Sequence, residues 1–551
     1  MWQGSATPLS GAVMSAYYLG IDVGSASVRA GVFDARGRCV AQAACEIAQY
    51  RPRPGFVEQS SDNIWSQCVA AVREAVSEAG VDGTSIRAIG FDATCSLVAL
   101  GGQGAPVSVS PDNVDAHNIV MWMDHRAIEE AEEIAATGHP ALEYIGGQVS
   151  PELELPKLLW LKRQRPDQFE RAALFLDLAD FMVARAIGDL DGTHEPERSV
   201  CTQVCKWLYL AHEGRWPEDL LERLGLDELM SRPAMQGDIR APGTRAGRLS
   251  KETAEAMGLT EQTVVATGLI DAHAGALGML GDDPEGSLAV IAGTSACHIA
   301  FSHDPCFVPG VWGPYWGAVL PDGWINEGGQ SAVGALIDHV IADSGVVEAL
   351  MTAAARAEIS HFEWLNQRLE ALEEESRDEL TRHLHVLDYH HGNRSPLADA
   401  SLTGMVSGLI LERDLDGLAL RYLATLQAVS LGTRHIVETL NAHGHDIKRL
   451  RLCGGALKNA RWLKELSDAT GLVIELPEER ETVLLGSAML AATACGDHSA
   501  LREAAAAMSA TARTIRPDVT RRDFFDAKYR VYRQMHEDQL RYRDLMESKI
   551  A

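Results

Sequence analysis

Aspartate 22 closes an apolar run, a threonine sits between Gly293 and Ser295 in a turn of small residues, Asp271 marks a strand-to-helix junction, and Gly454 and Gly455 open a loop that ends at Asn459. These residue types suit phosphoryl transfer. A triphosphate in an acidic protein needs backbone N–H donors and Mg2+, and a hard cation takes oxygen ligands such as Asp22, directly or through water. An alcohol nucleophile needs a carboxylate within hydrogen-bond reach to accept its proton, which makes Asp271 the candidate base. Each feature also has an ordinary reading. Glycine-serine turns join many hairpins, and an aspartate before an Ala/Gly-rich helix is a common N-cap.

The elements that would carry these residues follow from hydrophobic periodicity. Residues 17–34, YYLGIDVGSASVRAGVFD, run apolar to Asp22, break through Gly24, Ser25 and Ser27, and resume as an alternating strand. That is a β-hairpin, and its small crossing lets backbone N–H groups approach an anion. The same grammar recurs at residues 287–302, SLAVIAGTSACHIAFS, around Gly293, Thr294 and Ser295. Two related halves are expected, with the two turns facing one another across a cleft able to hold a triphosphate. Residues 62–80 read as an amphipathic helix with Trp65, Cys68, Val69, Val72 and Val76 on its apolar face, and residues 86–100 as a strand pair. Residues 262–281 read as a buried strand to Asp271 continued by a small-residue helix. Turn chemistry at 282–286 separates the halves. Beyond it come a long helix over 415–442, a buried strand over 450–453, the start of a small-residue helix at 486–493, and a charged helix over 521–548.

Composition bounds the partners. The chain has 551 residues, 46% hydrophobic and 23% charged, with 49 Lys and Arg against 77 Asp and Glu for a formal net charge of −28. A surplus of carboxylates that large repels phosphodiester backbones and anionic headgroups, which argues against nucleic acid and membrane surfaces as partners. At roughly 100–200 residues per domain the length predicts two to four units. Ten cysteines without CxxC spacing read as reduced thiols; Cys39/Cys45 and Cys201/Cys205 are the close pairs. No signal peptide and no run of eighteen apolar residues is found, so a cytoplasmic protein is expected, with residues 1–16 a disordered leader. His383, His385, His390 and His391 read as loop or sugar-lobe residues, and the acidic runs at 129–133 and 373–375 as solvated helix faces.

Several motifs in one order resemble the FGGY carbohydrate kinases. GIDVGSASVRAGVFD is similar to that family's first phosphate motif, AVIAGTSACHIAF to its second, GLIDAHAGALG to its catalytic-aspartate segment, and LCGGALKNARW with LLGSAMLAA to its adenosine region. The resemblance implies an α/β chain of two ribonuclease-H-like (actin-like ATPase) domains flanking a central cleft: an N-terminal domain over 17–283 for sugar and phosphate, a C-terminal domain over 284–515 for ATP, and a helical extension over 516–551. It also implies ATP and Mg2+ as cofactors, Asp271 as base and a possible homodimer. GFDATCSLVAL, VMWMDHRA, GGQVSPELELPKLLWLK, VCKWLY, NEGGQSA and HHGNRSPLAD are similar to the ribulokinase branch. By that likeness Ala93, Lys206, Asp271 and Glu327 contact the sugar, with Trp122 and Asp124 a platform and an acceptor beside it. Gly24, Ser25, Ser27, Gly293, Thr294, Ser295, Gly334, Gly454, Gly455 and Asn459 contact ATP, and Asp22 the metal. The implied reaction is phosphorylation of a terminal pentulose hydroxyl, D-ribulose first, with L-ribulose or ribitol as alternatives; a sugar-independent actin-like ATPase switch is the alternative of a different class.

Overall fold

The computed structural model describes residues 16–190, 195–231, 235, 237–281, 283–376 and 378–547. The leader, apart from Ala16, and Asp282 of the expected boundary lie outside the described residues. In the first half, strand Tyr17–Val23 pairs antiparallel with Ser27–Asp34, which pairs with Cys39–Glu46. On its other side Tyr17–Val23 runs parallel to Ile86–Ala93, and Ile86–Ala93 parallel to Val264–Ala266. The spatial order is therefore third, second, first, fourth, fifth. The second half repeats it with Trp324–Gln330, Ala296–Ser302, Ser287–Ala292, Arg449–Cys453 and Val473–Pro477. This is the expected pair of ribonuclease-H-like domains. The parallel strands are buried on both faces, which is why Tyr17–Val23 reads as a nearly continuous apolar run.

Two helices lock the halves together. Helix Asp271–Leu280 lies against helix Thr482–Ala494, and both sequences are rich in glycine and alanine. A Cβ at Gly278 would sit 2.0 Å from the carbonyl oxygen of Thr482, and one at Gly486 would sit 2.0 Å from that of Ala274. Backbones this close admit only glycine at the contact. The Thr482–Ala494 helix also packs over the first domain's sheet, where a Cβ at Gly20 would lie 1.9 Å from the Leu484 carbonyl oxygen. A helix contributed by the second half thus covers the sheet of the first.

Several expected elements need correction. Residues 86–100 are two strands but not a pair. Ile86–Ala93 stays in the central sheet, while Leu97–Leu100 enters a separate four-stranded sheet beside Ile119–Val120 and Leu174–Asp177. The link between them is held away from a hairpin by Thr94, whose N–H donates to the Val23 carbonyl at 2.9 Å. The 262–281 segment is interrupted after Val264–Ala266 and resumes as Leu269–Ile270 before the helix. His385 begins strand His385–Leu387 rather than lying in a loop. Within the acidic run, Glu130 is buried and its pKa is raised by desolvation, so that run is not wholly solvated. Helix Ser61–Ala79 is capped by Ser60 and Gly80, Leu415–Ala442 has the expected bounds, and Arg522–Glu547 forms the terminal helix. That last helix buries Phe525, Tyr532 and Met535 against Leu387, Tyr389 and Leu431. No helix among the described residues is long and apolar enough to cross a membrane.

Candidate active site

Three carboxylates meet where the parallel strands of the first domain end. Asp22 stands opposite Asp92 in the parallel register, Leu269 also stands opposite Asp92, and Ile270 opposite Ala93. Asp22, Asp92 and Asp271 therefore emerge side by side at the carboxyl ends of adjacent strands, where open α/β sheets bind ligands. Arg29 donates through Nε to Asp22 Oδ2 at 2.8 Å and through Nη1 to Glu481 at 2.9 Å, tying the first hairpin to the second half. Ser487 donates to Asp92 Oδ2 at 2.6 Å. Burial, and then the charge of Asp22, push the Asp92 carboxyl well above its ordinary range. The same two causes push Asp271 up to about 6. Asp271 is not the helix N-cap; Ile270 holds that place, and Asp271 is the first helical residue. Its Oδ1 accepts the Ala272 N–H at 2.7 Å, which orients the carboxylate.

The two small-residue turns are held differently. In the first, Gly24 N–H donates to Ser27 O at 3.0 Å. Three side chains grip Ser25: Trp122 Nε1 donates to its Oγ at 2.9 Å, and Gln49 and Gln59 donate to its carbonyl at 2.8 and 3.0 Å. In the second, Gly293 N–H donates to Ser295 O at 2.8 Å. The grip there is backbone: Val333 and Ala335 donate to Thr294 O at 2.9 and 3.2 Å, and Gly334 donates to Gly293 O at 3.1 Å. Gly293 and Thr294 are exposed. Gly454, at φ +90°, lies so close beneath this turn that a Cβ would come within 2.4 Å of Ala292 O, while nothing would crowd one at Gly455. Asn459 caps helix Ala460–Thr470 through the Trp462 N–H and donates to Tyr422 Oη at 2.7 Å.

Beside Asp271 lies a largely buried cluster of mixed charge. Glu327, on strand Trp324–Gln330, is 7% exposed; its Oε1 accepts from Arg394 at 2.9 Å and its Oε2 lies 3.1 Å from His273 Nε2. Against the desolvation of burial, the His273 hydrogen bond and the Arg394 and Lys206 charges pull Glu327 down to about 2. Lys206, at the end of helix Val200–Lys206, is 4% exposed. Desolvation opposes its charge, but Cys95, Glu152 and Glu327 raise its pKa, so the ammonium persists. Lys206 Nζ and Arg394 Cζ each lie 4.6 Å from the centre of the Trp312 ring, which steadies both cations against an aromatic face. Ala93, fully buried between Val23 and Ile270, supplies backbone at this junction.

The N-terminal domain model of the FGGY family of carbohydrate kinases matches residues 17–278, and its C-terminal domain model matches residues 288–495. The chain belongs to the FGGY carbohydrate kinases. It is 44% identical to an FGGY carbohydrate kinase domain-containing protein of Danio rerio, over 96% of this chain and 99% of the relative. It is 37% identical to a D-ribulokinase of Saccharomyces cerevisiae, over 88% of this chain and 73% of the relative. The crystal structure of xylulose kinase from Rhodospirillum rubrum has the same fold, with a TM-score of 0.78, 22% identity, and 96% and 99% of the two chains covered.

In this FGGY kinase the polar atoms of two expected sugar contacts, Asp124 and Trp122, are held by protein partners. Asp124 is fully buried and both its oxygens are engaged: Oδ2 by the Val57 N–H at 2.6 Å and Arg126 Nη2 at 2.7 Å, Oδ1 by the Arg126 N–H and Nε. Arg126 also reaches Glu58 at 2.8 Å, so Asp124 belongs to a closed ion-pair network. Trp122 spends its one polar atom on Ser25 and so braces the first turn. Conversely, Asp92, Arg29, His273, Trp312 and Arg394 were not among the expected site residues. Two carried a local signal, Asp92 as an acid at a strand end and Arg394 within the HHGNRSPLAD segment. His273 lies two residues past Asp271.

Proposed function

We propose that this sugar kinase transfers the γ-phosphoryl group of ATP to the terminal hydroxyl of an open-chain pentulose, D-ribulose giving D-ribulose 5-phosphate. The observation that carries the reading is the Lys206–Glu327–Arg394 set beside Asp271, with Lys206 and Glu327 buried and Arg394 partly so. An open-chain ketose offers a carbonyl and several hydroxyls, and desolvated cations next to a carboxylate can donate and accept across them. The likeness to a yeast D-ribulokinase supports the choice of sugar. We assign sugar binding mainly to the domain over 17–283 and ATP to that over 284–515, with Glu327 and Arg394 reaching into the sugar pocket from the second.

The Asp271 oxygen not bonded to Ala272 takes the hydroxyl proton; the sugar oxygen forms its bond to the γ-phosphorus as the bond to the β,γ-bridging oxygen breaks, and ADP leaves. The turns at Gly24–Ser27 and Gly293–Ser295 offer N–H and hydroxyl donors to the phosphates. The acids fit a hard cation: Asp92 Oδ1 is buried without a hydrogen-bond partner, and Asp22 and Asp92 provide oxygen donors alone. Mg2+ bound there would neutralise charge developing on the phosphates.

Because Asp271 is raised to about 6, it is ionised at neutral pH and protonated below that value. Only the ionised form accepts a proton, so kcat falls with acid, about tenfold per pH unit below the limb. The specificity test is an ADP-release screen over D-ribulose, L-ribulose, D-xylulose, ribitol and glycerol. D-ribulose should give the highest kcat/KM, with ribitol roughly a hundredfold lower because a buried cation is left facing no carbonyl. A preference for ribitol or glycerol, or ADP release indifferent to every sugar, would overturn the reading.

A further inference from the structure

Behind Glu327 lies a second group of reactive side chains that phosphoryl transfer does not use. Cys201 and Cys205, one turn apart on helix Val200–Lys206, point at His273 on helix Asp271–Leu280. The Cys201 Sγ is 3.0 Å and the Cys205 Sγ 3.9 Å from His273 Nδ1, and the three atoms lie within 4.8 Å of one another. All three residues are buried, with exposures of 0, 1 and 0%. Among the described residues this is where three potential metal ligands converge.

We propose that Cys201, Cys205 and His273 Nδ1 form a binding site for one zinc ion, built into the protein behind the sugar pocket. Zinc–sulfur bonds of about 2.3 Å and zinc–nitrogen bonds of about 2.0–2.1 Å place tetrahedral ligand atoms roughly 3.5–3.8 Å apart. The observed spacings bracket that range, so a small opening of the Cys201–His273 contact admits the ion. The surroundings are those of a metal site. A ligating histidine characteristically donates its other ring N–H to a carboxylate, and His273 Nε2 faces Glu327 Oε2 at 3.1 Å. The Ile270 N–H points at Cys201 Sγ from 3.5 Å, a donor suited to a thiolate. Two sulfurs and one imidazole form a borderline-soft set that favours zinc over Mg2+, and three protein ligands leave its fourth position for a water or small ligand.

Zinc held by two thiolates and a neutral imidazole is an uncharged unit, which suits a fully buried position. With Nδ1 on the metal, His273 Nε2 still faces Glu327 Oε2, so the ion would brace a carboxylate of the sugar pocket from behind.

The test uses the full-length chain produced in zinc-supplemented medium, dialysed against metal-free buffer and assayed for zinc per chain by plasma mass spectrometry. The wild type and a Cys39→Ser control should each hold about one zinc, and Cys201→Ser and Cys205→Ser at least tenfold less. A wild type without zinc, or Cys201→Ser and Cys205→Ser proteins that retain it, would overturn the proposal. Should either variant fail to fold, zinc-edge X-ray absorption of the wild type decides. Two sulfurs near 2.3 Å and a nitrogen near 2.0–2.1 Å support the site, and a sphere of nitrogen and oxygen alone rejects it.

Discussion

The two small-residue turns share a strand grammar and differ in nearly everything else. The first follows an acid, Asp22, whose partner Arg29 lies on the returning strand, and is gripped by the side chains of Trp122, Gln49 and Gln59. The second follows Ile291 and Ala292, with no acid at the strand end, and is gripped by backbone N–H groups of residues 333–335. The first turn therefore sits in a field of charge, beside three carboxylates and a guanidinium, while the second presents neutral donors with Thr294 exposed. A duplicated hairpin has divided its labour. In the proposed reaction one copy positions charge for the reacting end of the triphosphate, and the other offers hydrogen bonds that cost no desolvated charge.

That division can be broken from either side. The largest effect is expected from the charged turn: Asp22→Asn should lower kcat about a thousandfold and raise the Mg2+ concentration needed for half-maximal rate. Steady-state assays across a Mg2+ titration check this, and an unchanged Mg2+ requirement would remove Asp22 from the metal's neighbourhood. A smaller loss is expected at the neutral turn, where Thr294→Val removes one hydroxyl donor and should raise the KM for ATP about tenfold with little change in Mg2+ dependence. If Thr294→Val instead shifted the Mg2+ requirement, the two turns would not be specialised. The smallest effect belongs to the brace: Trp122→Phe keeps the packing, loses the bond to Ser25 and should raise the KM for ATP about threefold without altering the KM for sugar. A sugar-specific defect would return Trp122 to the sugar pocket.

The hairpins, the two-domain repeat and the long helix were legible because period-two and period-3.6 patterns are local. Residues 86–100 misled because the link Thr94–Cys95–Ser96 resembles a hairpin turn, whereas only the pairing of Leu97–Leu100 with Leu174–Asp177 shows that the chain has changed sheets. The candidate site was legible where an acid lies at a strand end, as Asp22 does, or at a strand-to-helix junction, as Asp271 does. It was illegible where function depends on a partner distant in the chain. Arg394 and Glu327 are 67 positions apart and His273 and Glu327 are 54 apart, so neither pair leaves a sequence signature. Asp124 shows the converse, since the family likeness implied a ligand contact and only its ties to Arg126 and Val57 show both oxygens engaged. The cysteines of helix Val200–Lys206 lacked CxxC spacing, and what gives them meaning is the helix turn that stacks positions four apart and the histidine brought to them from another helix.

The central claim is that Asp271 takes the proton from the sugar hydroxyl. Asp271→Asn is the direct test, because the amide oxygen can still accept the Ala272 N–H while proton affinity is lost. With ATP and D-ribulose binding measured calorimetrically alongside ADP release, the account predicts dissociation constants within about threefold of the wild type and a kcat lower by about 10⁴. A variant that binds both substrates and turns over at near wild-type kcat would contradict it.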